Sequence, residues 1–509
     1  MTSSPALQLD GSSLSINAVC DVARRGRPVE IGPQAIAGLQ RSRSVVEKAL
    51  TDGLAHYGIN TGFGSLARAR IPALELRELQ RNLVRSHAAG IGDPLPHDVV
   101  RATMLLLAAS LTRGRSGVRT EVVEHLCRLL NTAITPCVPG IGSVGASGDL
   151  APLAHIALVL IGEGLAWVAG KGPISGAQAL AQASVTPISL EAKEGLALIN
   201  GTHLMAAEAA LLCADWQRLF QAALLACAMS IDALKGTDAH LDPRVHQARN
   251  QPGPALVADS LRQALAGSQI LGSHKDNDPR VQDAYSLRCA PPVLGAASDA
   301  AAYVQSIIER ELGAVTDNPL VFTEGDGVIV SAGNFHGMPL AIPLDTLTIA
   351  LAHVAGIAER RVFLMLAARD PEAGLRPYLA AQPGLQSGLM IAQYTAAACC
   401  NEIIGLSMPA SVANLSTSAG TEDYNSFGPR AAAKARKALE LCRYVVAIEF
   451  LCAAEALECH RPLRSGARVE HAHAVIRRTV PRLDHDRPPA PDIEAISQAI
   501  ARGDFDAVT

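Results

Sequence analysis

The sequence predicts a mainly α fold, on three observations. Apolar residues make up 49% of the chain while aromatics make up only 3%, so Ala and Leu, both strong helix formers, carry the apolar content. Apolar residues recur at helical spacing, as at Val122, Val123, Leu126, Leu129 and Leu130. Alternating strand–helix units are absent over most of the chain.

Residues 1–30 read as a short strand-and-turn lead-in. Helical pattern follows at Gln34–Gly53, Leu74–Gly90, Val99–Thr112, Glu121–Thr132 and Ala151–Trp167. Asp149 stands where it would cap the last of these, with Pro152 in its first turn. Segments rich in Asp, Gly and Pro interrupt the pattern at Pro173–Pro187 and Lys235–Arg280, on either side of a long helix over His203–Leu234. Helices are expected again at Leu294–Gly313, Pro339–Arg369, Leu389–Leu406 and Pro429–Leu457. Between the first two, Leu320–Thr323 and Val328–Ser331 flank Gly325-Asp326-Gly327 as a hairpin. The tail around Leu483–Pro491 is rich in Asp, Arg and Pro and ends in a short helix.

A formal net charge of −4 with interspersed signs argues against a nucleic-acid or basic membrane surface. Eleven cysteines without CxxC spacing form neither a disulfide framework nor a zinc site, and they fit a reducing cytoplasm. Cys399-Cys400 are expected to be buried. The N-terminal MTSSPALQLDGSS carries no leader pattern. Met338–Ala367 is apolar but contains Asp345, His353, Glu359, Arg360 and Arg361, which reads as a buried helix rather than a membrane span. No metal site is expected.

The stretch Gly140–Pro152, GIGSVGASGDLAP, admits two readings. Its first six residues spell G-x-G-x-x-G, and Glu163 lies near where a dinucleotide fingerprint places its acid. That fingerprint must leave a strand and open a helix. Here TPCVP precedes it, with two prolines that break a strand, and the helix opens only after Asp149. The second reading is a self-made electrophile at Ala146-Ser147-Gly148. In a tight bend the Gly148 nitrogen attacks the Ala146 carbonyl carbon, an approach that glycine alone permits. Ring closure releases one water, and loss of the Ser147 hydroxyl releases a second. The product is 4-methylideneimidazol-5-one (MIO), with an exocyclic methylene.

Tyr57-Gly58-Ile59-Asn60-Thr61-Gly62-Phe63-Gly64 holds three glycines in eight residues and must be a specific loop. Its tyrosine either packs or does chemistry. Together these motifs make the chain resemble the aromatic amino acid ammonia lyases and aminomutases, and among them the histidine ammonia lyases. GSVGASGDLAPLAH (Gly142–His155) resembles the segment around that family's prosthetic ring, and Tyr57–Gly64 its tyrosine loop. EGLALINGT (Glu194–Thr202), VQDAYSLRC (Val281–Cys289), Thr316–Phe322, Ser331–Gly337 and SGLMIAQYTAAA (Ser387–Ala398) match in the same order.

The resemblance implies β-elimination of ammonia through MIO formed from Ala146, Ser147 and Gly148, with no dissociable cofactor. It gives Tyr57 the role of general base, work that calls for a pKa nearer neutral than the ordinary value of about 10. It makes Arg288 the carboxylate clamp, a role suited to a bidentate guanidinium. It has Asn200 and Tyr285 hydrogen-bond the amine, ring or carboxylate. Gln282, one helical turn before Tyr285, adds a contact, and Phe335 walls the ring from water. At the aromatic pocket His87, in Ser86-His87, and Glu422, in Thr421-Glu422-Asp423, resemble the histidine lyases. A carboxylate suits an imidazole N–H and is a costly neighbour for a phenyl group.

The implied reaction is L-histidine to urocanate. Thr421, Tyr424 and Gln386 depart from the usual histidine lyase residues. They leave open a modified histidine such as ergothioneine, tyrosine or phenylalanine, or an aminomutase outcome. A non-catalytic scaffold would be expected to lose Ser147, Tyr57 or Arg288, and all are present. The implied architecture is a long central helical bundle preceded by an N-terminal part that carries the active-site loops, divided as residues 1–115 and 116–509. The family assembles as homotetramers with sites shared between subunits, which allows Tyr57 and Ser147 of one site to come from different chains.

Overall fold

A computed structural model describes residues 5–168, 171–276 and 278–506. Residues 1–4, the start of the stretch that carries no leader pattern, lie outside them. The fold is mainly α. Its longest helices are His203–Ala233, Ala290–Glu311, Met338–Ala367 and Gly428–Glu458. Ala- and Leu-rich sequence with few β-branched interruptions favours such lengths.

The described residues form two compact units. The first draws on Met1–Ala214, Gln305–Leu344 and Pro409–Ala433, and the second on Asp215–Val304, Asp345–Met408 and Lys434–Thr509. The boundary expected at residue 115/116 coincides with neither unit edge. Both sides of it pack into the first unit, where the Arg115 carbonyl accepts from the Val321 amide at 2.7 Å and Ser116 is buried.

In the first unit, Leu7–Leu9 pairs in parallel with Val29–Ile31 around the helix Ile16–Arg25. That helix lies inside the expected strand-and-turn lead-in. Its signals are short-range ones: Ser15 caps its start through the Ala18 amide, and Gly26 ends it at φ 70°. The helices Pro33–Ala49, Leu76–His87, His97–Thr112 and Thr120–Asn131 follow the expected pattern to within a few residues. The helix expected over Ala151–Trp167 is Leu150–Leu160. Gly162 and Gly164 adopt φ 81° and 67°, which stops it, and Leu165–Val168 becomes a strand between Thr135–Pro136 and Lys171–Ser175. The prolines of TPCVP thus sit in short strands rather than abolishing them, because each ladder is only a few residues long. The hairpin Leu320–Phe322 and Val328–Val330 forms as expected.

In the second unit, short helices Pro243–Arg249 and Pro252–Leu265 occupy the interrupted segment after residue 235. Gly176–Gln182, in the first unit, does the same for the earlier one. Arg361 and Glu449 are fully buried and paired at 2.5 and 2.9 Å, and Ser230 donates to Glu449 at 2.7 Å. Three long helices therefore meet on one satisfied polar cluster, where removing a single partner would leave a buried charge. Cys399 and Cys400 are half-buried rather than buried, because their helix, Met390–Leu406, leaves one side uncovered. Met338–Ala367 is long and apolar enough to cross a membrane by length and composition. It is mostly buried within the protein and carries buried Asp345, Glu359 and Arg361.

Candidate active site

The glycine-rich stretch is a tightly pinned loop. Pro139–Ile141 pairs antiparallel with Ile91–Pro94, and the next helix opens only at Leu150. A dinucleotide fingerprint needs its glycines at the strand-to-helix turn itself. Glu163 is engaged by Arg81 and Arg85 at 2.7 and 2.8 Å, so its carboxylate is committed elsewhere. The nucleotide reading therefore fails on geometry.

Gly148 adopts φ 73°, and a Cβ there would lie 2.1 Å from the Gly201 carbonyl oxygen, so no other residue fits. Gly148 and Gly201 form a parallel bridge, flanked by Asp149 N–H donating to Gly201 O at 2.8 Å. Inside the loop, Ser143 Oγ lies 3.1 Å from the Gly148 carbonyl and accepts from the Gly145 amide at 3.2 Å. From outside, Ser426 Oγ donates to Gly145 O at 3.0 Å and Phe427 N–H to Val144 O at 2.9 Å. The chain is thus held bent on either side of Ala146-Ser147-Gly148.

Asp149 does not cap its own helix. Its Oδ2 accepts from the Leu204 and Met205 amides at 2.9 and 3.1 Å, which caps the helix His203–Ala233 instead. Burial pushes its carboxyl up to about 7, against these amide bonds. Between its ordinary 3.8 and about 7 the folded state holds a proton that the unfolded state releases. This group's stabilising contribution is therefore full below the lower value and lost as pH rises through the upper one. Nearby His203 is also fully buried, with its pKa lowered to about 3 by desolvation, and its slope has the opposite sign. Asp149→Asn keeps the acceptor and removes the titration. Its Tm relative to wild type should rise from about pH 4 to pH 8; a flat difference would show that Asp149 does not titrate there.

A cavity of about 760 Å³ lies in the first unit, within the size range of small-molecule sites. Tyr57, His87, Ser147, Asn200, Phe335 and Glu422 all line it. Tyr57 and Ser147 of one chain thus line one cavity. The Gly64 amide donates to Tyr57 Oη at 3.2 Å. Gly64 itself has φ 53°, and a Cβ there would lie 2.6 Å from Ser418 Oγ. The glycines of this loop therefore let a backbone N–H turn back onto the phenol.

His87 is the last residue of the helix Leu76–His87, and its Nδ1–H donates to Leu83 O at 2.8 Å. This bond selects the tautomer with Nε2 as acceptor. Glu422 Oε2 accepts from Thr417 Oγ1 at 3.2 Å, and the strand-like pair Thr417–Glu422 fixes its backbone. Asn200 is buried, and its Nδ2 donates to Asn318 O at 2.9 Å and to Asp317 Oδ1 at 3.3 Å. Its Oδ1 is buried with no partner. Asp317 is in turn paired with fully buried Lys193 at 2.6 Å. Lys193 and Asp317 orient Asn200, and the sequence alone marks neither; the one signal for Asp317 is its place in the segment Thr316–Phe322.

Gln282, Tyr285 and Arg288 belong to the second unit and are not among the residues lining this cavity. The helix is only Tyr285–Arg288, so Gln282 precedes it and does not lie one helical turn before Tyr285. The Asp283 side chain is bound by Thr237 there, which holds the preceding backbone out of the helix. Gln386 ties Gln382 N–H to Asp484 O rather than lining the cavity, whereas Thr421 does line it.

The donor set fits MIO. Gly148 sits at a positive φ where a side chain would strike Gly201, Ser147 opens on the cavity, and Asn200 presents an unpartnered buried carbonyl oxygen.

Residues 14–478 match the family described as aromatic amino acid lyase. The chain is 48% identical over 505 residues to a histidine ammonia-lyase of Anaeromyxobacter sp. (strain K), covering 98% of this chain and 99% of that one. It is 47% identical to one of Koribacter versatilis (strain Ellin345), covering 98% of each. Among solved structures it resembles histidine ammonia-lyase from Trypanosoma cruzi, with TM-score 0.91, 37% identity, and 98% and 94% of the two chains covered. It also resembles tyrosine aminomutase from Streptomyces globisporus, with TM-score 0.92, 35% identity, and 98% and 97% covered.

Proposed function

The chain belongs to the aromatic amino acid lyase family, a carbon–nitrogen lyase, and on that premise we propose that it eliminates ammonia from L-histidine to give urocanate. The observation that carries this reading is the pairing of His87 and Glu422 in the cavity that also holds Tyr57 and Ser147. His87 offers an acceptor nitrogen, and Glu422 keeps Oε1 for an imidazole N–H while Thr417 holds Oε2. Such an end would be a poor site for a phenyl ring.

MIO, formed from Ala146-Ser147-Gly148, supplies an electrophile for the substrate amine and so makes ammonia a better leaving group. Asn200 Oδ1 accepts an amine N–H, an interaction that no group among the described residues already satisfies. Tyr57 takes the β-proton, its oxygen steadied by the Gly64 amide. Phe335 excludes water from the reacting carbons.

Arg288 pairs with the carboxylate, aided by Gln282 and Tyr285, and these come from a neighbouring subunit of a homotetramer. Support for this lies in their surroundings: Val281 is 99% exposed and Tyr285 70% exposed, too apolar for a surface that faces only water. Ile404, Met408, Val412 and Leu415 are exposed as well. A cytoplasmic setting suits eleven free thiols.

The test is an ultraviolet assay against histidine, ergothioneine, tyrosine and phenylalanine. Urocanate from histidine is expected, with kcat/KM falling about 10–100-fold in Glu422→Gln, the range for a charge-assisted hydrogen bond. No urocanate from histidine, with cinnamate-type product from an aromatic substrate, would overturn the substrate assignment.

A further inference from the structure

A carboxylate clamp works best when its guanidinium is oriented before the ligand arrives, since ordering a long side chain on binding costs affinity. Arg288 closes a helix of only four residues, Tyr285–Arg288. One helical turn has little stability of its own in water, so its direction comes from the helix Ala290–Glu311, which begins just beyond Cys289, and from tertiary anchors.

Those anchors lie in the second unit. Arg288 Nε donates to the Asp283 backbone oxygen at 2.9 Å, and its guanidinium carbon lies 4.5 Å from the Tyr285 ring centroid. These contacts fix the plane of the fork. With Nε committed, the Nη1–Nη2 edge is what remains for a carboxylate. The position of the Asp283 carbonyl therefore decides where that edge points. Asp283 is only 9% exposed, and its Oδ2 accepts both from the Thr237 amide at 2.8 Å and from Thr237 Oγ1 at 2.7 Å. Two donors from one residue anchor this single carboxylate oxygen. Beyond it, the Ser286 carbonyl accepts from buried Arg361 at 3.3 Å, and Leu287 is buried. The base of the turn is thus rigid, and Asp283 is the joint between that base and the guanidinium.

We propose that Asp283 and Thr237 are a positioning pair that aims Arg288 at the substrate carboxylate. This rests on the reading of Arg288 as the clamp. The pair touches no substrate, so its effect should appear in recognition of the carboxylate and not in the proton-transfer step.

The experiment compares Thr237→Val, Thr237→Ser, Asp283→Asn and Arg288→Ala in the full-length protein. It measures KM and kcat for histidine and the inhibition constant of histamine, which lacks the carboxylate. Thr237→Val removes the hydroxyl donor and should raise KM about 3–10-fold, the range for one hydrogen bond, with kcat nearly unchanged. Asp283→Asn keeps an acceptor oxygen but removes its charge, and should raise KM about 3–10-fold. Thr237→Ser, which keeps both donors, should restore the wild-type KM. Histamine inhibition should be the same in all.

An unaltered KM in both Thr237→Val and Asp283→Asn, while Arg288→Ala raises it, would overturn the positioning pair alone. Equal weakening of histidine and histamine would also overturn it, since that marks general distortion. If Arg288→Ala leaves KM unaltered, the clamp reading and the pair fall together. Should Asp283→Asn fail to fold, the contrast between Val and Ser at Thr237 decides.

Discussion

Replacing Ser147 by alanine should lower kcat on histidine by about a thousandfold or more, as loss of a covalent catalytic group does elsewhere. The reason is chemical. Ammonia leaves poorly without an electrophile on its nitrogen, and among the described residues that line the cavity with Ser147, Tyr57 and Asn200 only the proposed ring would supply one. The same change has a readout independent of turnover. Wild-type intact mass should fall short of the translated mass by two waters, one from ring closure and one from the Ser147 hydroxyl. Ser147→Ala has no hydroxyl to lose, so it should recover at least one water. The backbone bend does not depend on Oγ, because Gly148 and Gly145 hold the positive φ values and Ser426 and Phe427 hold the carbonyls. The variant should therefore fold, with a Tm near wild type. Full translated mass in the wild type would sink the electrophile outright.

Much of this site is legible in the sequence because its parts are local. Ala146-Ser147-Gly148 and the tyrosine loop each act within a dozen residues, and glycine positions report directly on backbone needs, as at Gly148 beside Gly201. Long helices are legible for the same reason: a 3.6-residue period repeats itself. What escapes is side-chain commitment across distance. Asp149 looks like the cap of its own helix, yet its carboxylate binds amides 55 and 56 residues later. Nothing local distinguishes the two options, because both present unsatisfied N–H groups. Lys193 with Asp317, separated by 124 residues, is invisible for the same reason. The helix ending at Leu160 escapes differently: Gly162 and Gly164 carried the stop signal, and the apolar run through Trp167 outweighed it. The two units escape because each is assembled from segments distant in the chain.

Replacing Tyr57 by phenylalanine should lower kcat by about 10²–10⁴-fold with little change in KM, the span expected for a general base. Phenylalanine fills the same space in a half-buried position, so packing is preserved. What disappears is the oxygen that faces the cavity and accepts from the Gly64 amide. That part-buried amide then loses its protein acceptor, which should cost about 0.5–1.5 kcal/mol of stability and appear as a slightly lowered Tm. The intact mass separates this variant from Ser147→Ala. In the proposed ring closure the new bond is at the Gly148 nitrogen and the two waters come from the Ala146 carbonyl oxygen and the Ser147 hydroxyl, none of them on Tyr57, so Tyr57→Phe should still lack two waters. A fully matured variant that binds histidine normally and barely turns it over isolates proton removal as the missing step. If instead kcat stays within tenfold of wild type, Tyr57 only packs, and the base must be sought among the other groups that line the cavity. His87 would then be the first candidate, because its Nε2 is the one ring nitrogen there left as an acceptor.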